Sequence, residues 1–533
     1  MVTKIILLIS FSFCLIHCVA QQSFCKVVGT NKDDIAQKMI QTNDHGFIVV
    51  GSSTSPLTFD EDGYIIKLDS TLNLEWTRTL RNSDTLHPGI VILDVIEDSN
   101  QNYFTVGLFM ASSPALQMIA SKWNPNGTLL WSKILHRTFY DYPYGALAAG
   151  DGGFIITGST FNENPGSDDD DISIVKLDSN GNTIWSKIIG ARGTGNDELG
   201  HSIVRCKDNG FAIGGSTTSF GKGSWDFYVV KMDSLFNIQW TRTIGTTEWE
   251  KANCLISTDD NGFLIVGEEN FIQSSGQSDF YVVKLDSLGS LQWSKTIGGS
   301  SDEIALSAIQ TKDSGYLVSG YTVSFGAGNL DGYIIKLNNS GALEWTKTMG
   351  GLKAEFISSA VQLTDESYVL TGEQNYLFGD NTSEIPIIKI DSNGNGCCVV
   401  NSSGSEGIGG AIDSGGIADT ISFVSLNNGI AGSRGVLATK CITAIHETNN
   451  VSNLQVIGYF EGNNIHFSVQ NLPNGKYTLR ILDLLGQAIL NQKINSVGLP
   501  VEYTFQMLVN SGAYFASIID ENGIRISLKV IKP

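Results

Sequence analysis

Short runs in which apolar and polar residues alternate, cut by Asp-Gly, Asn-Gly and Ser-Gly pairs, fill the chain from about residue 24 to residue 395. Runs of this period and length read as β-strands joined by tight turns, and long amphipathic helical patterns are hard to find. The runs recur about every fifty-three residues. A lysine in "VVKLD" and its counterparts gives Lys67, Lys122, Lys176, Lys231, Lys284, Lys336 and Lys389, and an aromatic in "GFLIVG" gives Phe47, Tyr103, Phe154, Phe211, Phe263, Tyr316 and Tyr368. A tryptophan opening the last run appears only six times, at Trp76, Trp131, Trp185, Trp240, Trp293 and Trp345.

Each unit divides into four strand-like runs, as in "EIALSAIQT", "GYLVSGYTV", "DGYIIKL" and "ALEWTKTMG". Four short antiparallel strands per repeat of this length is the pattern of a β-propeller blade. Small residues in the first run, such as Ala305, Ser307 and Ala308, suit the strand nearest the axis, where blades converge. In the last run Leu291, Trp293 and Ile297 alternate with Gln292, Ser294 and Thr296, the pattern of a half-exposed outer strand. The missing seventh outer strand lies at the other end of the chain. "SFCKVVGTNKDDIAQKMIQT" aligns with "QWSKTIGGSSDEIALSAIQT", which puts Phe24 in the tryptophan column and Lys26 in the column of Lys295. Residues 22–28 are therefore predicted to complete the blade containing 356–391 and to close a ring of seven four-stranded blades with no open edge. A disulfide from Cys25 to Cys397 or Cys398 would staple that closure by ~3–4 kcal/mol. The adjacent pair can equally bond to each other or to Cys441.

The expected fold class is thus all-β, a seven-bladed β-propeller over 21–395 followed by a small C-terminal β-sandwich. Between them, 396–450 is rich in Gly and Ser and reads as a linker, with "ISFVSL" and "VLATKCITAI" as isolated strands without an assigned place. From about Val451 alternation returns, and some six or seven strands in 451–533 call for a sandwich.

Length agrees, since 533 residues exceed one ordinary core. A formal charge of −20 argues against nucleic-acid or anionic-membrane partners, because the protein's field repels phosphates. Residues 1–20 have an early Lys4, an apolar core from Ile5 to Ile16, and small residues before Gln21, and read as a secretory signal peptide. No later apolar run is long enough to be a transmembrane segment. Six cysteines then remain, too few for a disulfide-built scaffold in a chain this long.

Candidate chemistry is sparse. With "SLGS" as the hairpin turn, Lys284 lies opposite Trp293, and the same pairing in six blades suggests structural cation–π contacts of about 0.5–1 kcal/mol each. Bases recur two places after the tryptophan column, at Lys26, Arg78, Lys133, Lys187, Arg242, Lys295 and Lys347. Acids open the first strand of six units (Asp34, Asp141, Glu198, Glu250, Glu303 and Glu355), with Ile90 interrupting the series. These carboxylates would either ring a channel mouth and hold a hard cation such as calcium, or accept backbone hydrogen bonds in the inter-blade turns, and the repetition favours the second reading. The acidic stretch "GSDDDDIS" at 166–173 reads as a solvated loop. No H-E-x-x-H, G-x-S-x-G or zinc-ribbon spacing is present. No residue is assigned a catalytic, cofactor-binding or metal-binding role, and no cofactor is implied.

Two resemblances bear on the repeat and one on the tail. "KLDSNGNTIW" (176–185) is similar to the hairpin of quinoprotein propellers and to the Asp-box hairpin of sialidases, and both are blade architecture rather than active sites. The tail resembles the C-terminal (type A) sorting domain of the type IX secretion system of Gram-negative bacteria. That resemblance rests on "YTLRILDLLGQAI" (477–489) with Asp483 and Gly486, on "SGAYFASI" (511–518) with Gly512 and Tyr514, and on "ISLKVIKP" with Lys529. It implies export by the type IX machinery to the outer cell surface or beyond. The expected function is a non-catalytic propeller that recognises a protein or glycan. The alternative is an extracellular polysaccharide-active enzyme with acids on its loops.

Overall fold

A computed structural model of the chain describes residues 24–30, 32–54, 61–81, 89–110, 116–136, 140–161, 170–191, 197–271, 277–326, 330–350, 354–375 and 383–396, together with 399–402 and the later strands named below. Every regular element among the described residues is a β-strand. β1 (Phe24–Gly29) is followed by β2 (Asp34–Gln41), β3 (Phe47–Thr54), β4 (Glu61–Leu68) and β5 (Leu74–Arg81). The last four form an antiparallel meander, the first blade. The same meander recurs over 90–136, 141–190, 198–245, 249–298 and 303–349. The seventh blade has only three consecutive strands, Glu355–Gln362, Tyr368–Asn375 and Ser383–Ile390. Its fourth is β1, which runs antiparallel to Ser383–Ile390 with Phe24 opposite Lys389 and Val28 opposite Ile385. The chain start thus supplies the outer strand that the seventh repeat lacks.

The first strand of each blade touches the first strand of the next in unbroken cyclic order, and Glu355–Gln362 returns to β2. These seven strands therefore surround the axis. Packing follows the same symmetry, because the buried side chains fall into seven hydrophobic clusters, each shared by two neighbouring blades. Between blades five and six, for example, Val266, Phe280 and Val282 meet Ala305, Val318 and Tyr333. Val28 of β1 joins Met39, Val49 and Ile66 of blade one to Val369, Ile385 and Ile387 of blade seven. Each fully buried residue of this kind contributes about 1.5–3 kcal/mol, so one short strand carries a large share of the closing junction. Cys25 is a free thiol, 3% exposed, packed with Leu317, Ile334 and Ile388. Its proposed partners Cys397, Cys398 and Cys441 lie outside the described residues, as does the signal peptide.

The Gly- and Ser-rich segment after the last blade contributes strands of three to five residues. Each pairs antiparallel with the outer strand of one blade. Val399–Asn401 lies on blade six, Ser405–Gly407 on blade five, Ala411–Asp413 on blade four and Ile417–Ile421 on blade three. Val424–Asn427, Ile430–Gly432 and Val436–Thr439 then take blades two, one and seven. The segment is a strap that runs back around the ring, so every blade becomes a five-stranded sheet and β1 is paired on both sides. An outer propeller strand presents a row of unpaired backbone groups, and the strap occupies that row.

Further along the chain two antiparallel sheets form. One has three strands, Gln455–Glu461, Asn464–Gln470 and Val501–Gln506; the other has four, Gly475–Leu482, Ala488–Ser496, Gly512–Ile519 and Arg525–Lys532. Leu479 and Ile481, on one face of Gly475–Leu482, are fully buried. Asp483 and Gly486 lie outside the described residues.

Candidate functional site

The recurrent lysines are the most conspicuous chemistry in the repeat. The predicted register is present in six blades, with each lysine directly opposite its tryptophan, as in Lys284 and Trp293. Their ammonium groups, however, do not settle on the indoles. In all seven blades the lysine reaches an aspartate in the turn between the first and second strands, pairing with Asp44, Asp98, Asp151, Asp208, Asp260, Asp313 and Asp365 at 2.7–3.1 Å. Lys284 also donates to the Leu285 carbonyl. An almost fully buried ammonium needs a counter-charge more than a π face, so these lysines take the aspartate and not the expected indole. Against a desolvation that would raise them, hydrogen bonds from the lysine, a threonine and a turn N–H hold Asp260 and Asp313 at about 2.

The cation–π contacts to the tryptophan column come from the second column of bases. Arg78, Lys187, Arg242 and Lys347 lie 5.2–5.8 Å over the ring of the tryptophan two residues earlier on the same strand, where i and i+2 share a face. The same groups cross to the next blade. Arg78 donates to the Gly127 carbonyl, Lys187 to Phe236 and Arg242 to Gly289, and Lys26 of β1 reaches the Leu72 carbonyl, repeating the tie across the closure. In the receiving turn the aspartate or asparagine accepts two backbone N–H groups; Asp178 takes those of Asn180 and Asn182. The turn glycine has positive φ, and a Cβ at Gly181 would come within 2.7 Å of the Trp131 ring.

The acids that open the first strands are buried, from 0 to 2% exposed. Asp34 accepts from Thr30 N, Glu198 from Ala191 N, and Glu303 from Gly299 N, all in the turns between blades. Threonine hydroxyls supply further bonds, from Thr160 to Asp141 and from Thr322 to Glu303. This is the capping role weighed against a calcium ring. Among the described residues no group of three His, Cys, Asp or Glu side chains could hold a metal ion.

At several junctions a second acid approaches from the third strand of the preceding blade. Asp279 and Glu303 converge on Gly298, Asp226 and Glu250 on Gly245, and Asp171 and Glu198 on Gly190. Desolvation, then the charge and hydrogen bond of Glu303, push Asp279 up to about 7. Burial followed by Asp226 raises Glu250 to about 7, and burial followed by Glu250 raises Glu269 to about 8. Two carboxyl groups this close cannot both ionise cheaply, and the hydrogen bond between Asp279 and Glu303 needs a proton on one of them.

At the axis, every inner strand carries a β-bulge at the same place, which the sequence pattern did not reveal. The bulged residues are Gln37, Leu93, Tyr144, His201, Asn253, Leu306 and Ser358. Such a bulge frees backbone groups from the blade's own ladder, and the neighbouring blade takes them up. The Asn253 amide donates to the Ala305 carbonyl and Ser358 Oγ to the Ala36 carbonyl, while His201 Nδ1 bonds the Ala252 carbonyl. Asp94, Ser202 and Ser359 accept the N–H groups of Ala146, Leu255 and Met39 in the following blades. These bonds tie blade two to three, four to five, five to six and seven to one near the axis.

Side chains on this regular backbone differ sharply around the ring. Two residues before the bulge, blades six, seven, one, two and four carry Ile304, Phe356, Ile35, Val91 and Leu199, whereas blades three and five carry Tyr142 and Lys251. Blades three to five form a continuous polar and aromatic arc. Tyr142 stacks on Tyr144 with centroids 6.3 Å apart, and Tyr144 meets the His201 ring edge-on at 4.7 Å. Desolvation lowers His201 to about 4, so the imidazole is neutral at physiological pH. Lys251 Nζ lies 4.9 Å from the Trp225 ring and 5.0 Å from the Trp249 ring, and those two tryptophans are joined by a parallel β-bridge across the junction of blades four and five. Tyr142, Tyr144, His201, Trp225, Trp249 and Lys251 are all partly exposed. Trp225 and Trp249 fall outside the six-membered tryptophan column, and that irregularity is the signal by which they could have been found.

No known protein family matches the chain, and no curated protein does. Among solved structures, the tetra-tandem repeat in the extending region of a large adhesion protein is 12% identical, with 86% of this chain and 94% of that chain covered and a TM-score of 0.11. The BSP domain of a biofilm-associated protein is 9% identical, with 95% and 97% covered and a TM-score of 0.16. Superpositions this poor carry nothing about fold or function.

Proposed function

We propose that this protein is a secreted or cell-surface recognition module, non-catalytic, whose propeller binds a glycan or protein at the arc of inner-strand side chains in blades three to five. One observation carries the reading. The scaffold contacts repeat from blade to blade, while the axial side chains of blades three to five depart from the repeat and leave aromatic and polar groups partly exposed. Aromatic faces with a few placed polar groups on a rigid scaffold suit ligand binding. Glu250 and Glu269, whose carboxyls burial pushes up to about 7 and about 8, are 0 and 1% exposed and so out of reach of a substrate.

Residues 451–533 would act as the address read by the type IX secretion machinery of a Gram-negative host, after export across the inner membrane by residues 1–20. Among the described residues no helix is long and apolar enough to cross a membrane. A glycan array followed by release assays on the hits tests the reading: capture without turnover supports it, and release of reducing ends supports the hydrolase instead. Deleting 451–533 in the native host should leave the propeller behind the outer membrane, and unchanged surface delivery would contradict the address.

A further inference from the structure

We propose that Lys251 between Trp225 and Trp249 is the seat of a carboxylate on a uronic-acid-containing glycan. This rests on the recognition reading above and names its ligand class. The six counterparts of Lys251 in the other blades are Ile35, Val91, Tyr142, Leu199, Ile304 and Phe356, so the charge is an addition to an otherwise uncharged position. Two indoles 4.9 and 5.0 Å away hold the ammonium in place and strip water from two of its sides.

The lysines of the repeat column are tied to a turn aspartate, and Lys26, Lys187 and Lys312 to a backbone carbonyl. Lys251 has no hydrogen-bond acceptor and no ion-pair partner among the described residues. Glu268 lies directly opposite Lys251 in the ladder and is 7% exposed; burial, with Asp302 nearby, raises it to about 7 against the pull of the Lys251 charge, so near neutrality it offsets that charge only in part. His201, on the other side, is neutral and brings no competing charge. The result is an oriented, partly dehydrated cation with open donor positions, which an incoming carboxylate would fill with charge-assisted hydrogen bonds. The two partly exposed indoles offer apolar surface to the C–H faces of a pyranose ring. An acidic peptide would use the charge but has no comparable face to lay on them.

The test uses the full chain and a panel of oligomers of galacturonic, glucuronic, mannuronic and guluronic acids, each beside its methyl-esterified form, with binding followed by calorimetry. The expected result is that at least one acidic oligomer binds, that esterification weakens it by tenfold or more, and that Lys251→Gln does the same. Trp249→Ala should also weaken binding, with melting temperature measured to confirm that each variant is folded. Equal binding of acid and ester, indifferent to Lys251→Gln, would overturn the carboxylate seat and leave axial recognition standing. Lys251-dependent capture of a poly-glutamate peptide with no oligosaccharide bound would overturn the glycan class. If neither these oligomers nor any glycan on an array is captured, recognition of glycans at the axis fails as well.

Discussion

The rim and the axis of the same seven blades follow opposite rules. At the rim, contacts are interchangeable: a lysine on the third strand takes a turn aspartate in every blade, and a base beyond the tryptophan column holds the next blade's turn. At the axis the backbone repeats, bulge included, but the side chains do not. Where backbone and side chain repeat together, the residue is part of the scaffold. Where an unchanged backbone carries changed side chains, fold stability has not dictated the choice, and ligand binding is the natural alternative.

The largest break would come where the ring is closed by strand pairing alone, at β1. Removing residues 21–29 takes away a strand paired on both sides and uncovers two hydrophobic clusters. The expected result is loss of the cooperative melting transition and aggregation on size exclusion. Ending the chain after Gly396 removes the strap but no blade core, so the ring should survive with a lower melting temperature and a new tendency to associate through bare outer edges.

Next in size are the rim ion pairs. Asp260→Ala leaves Lys284, 1% exposed, with only the Leu285 carbonyl, and should cost about 3 kcal/mol in chemical denaturation. Lys284→Met should cost less, because Asp260 is half exposed and rehydrates. Equal losses would contradict the view that the buried ammonium, rather than the half-exposed carboxylate, bears the cost of losing its partner.

Stability should also depend on pH from both sides. Carboxyls raised in the folded state stabilise it by taking up protons. That contribution is complete below their unfolded values and is lost as pH rises through about 7 for Asp279 and Glu250 and about 8 for Glu269. Asp260 and Asp313 act in the opposite sense, their contribution being lost as pH falls through about 2. Melting temperature should therefore peak in mildly acidic buffer and decline toward pH 9. Asp279→Asn should flatten the alkaline decline.

Much of the rim was legible in the sequence, because the blade count, the borrowed strand, expected at 22–28 and found at 24–29, and the Lys284–Trp293 register all follow from columns at a fixed period. The lysine's true partner was not, since the aspartate lies 23–25 residues earlier in a turn whose "TNDHG" and "TDDNG" look like ordinary turn punctuation. The strap escaped because three to five residues are too few to show alternation, and glycine-rich spacing mimics a linker. Bulges left no mark at all, being set by how blades converge rather than by residue type. Trp225, Lys251 and Trp249 were visible only as breaks in the columns, and their meeting depends on the bridge between blades four and five.

The smallest effect on stability should accompany the largest effect on function. Replacing Tyr142, Tyr144 and Lys251 together with Ile, Leu and Ile gives blades three and five the side chains that blade six carries at those positions. Such partly exposed changes should each alter stability by about 0.5 kcal/mol or less. The decisive measurement is capture on a glycan array by this triple variant beside the intact chain, with both melting temperatures recorded. A variant that melts with the parent but captures none of the parent's glycans is the predicted result, and undiminished capture by a folded variant would contradict the division between rim and axis.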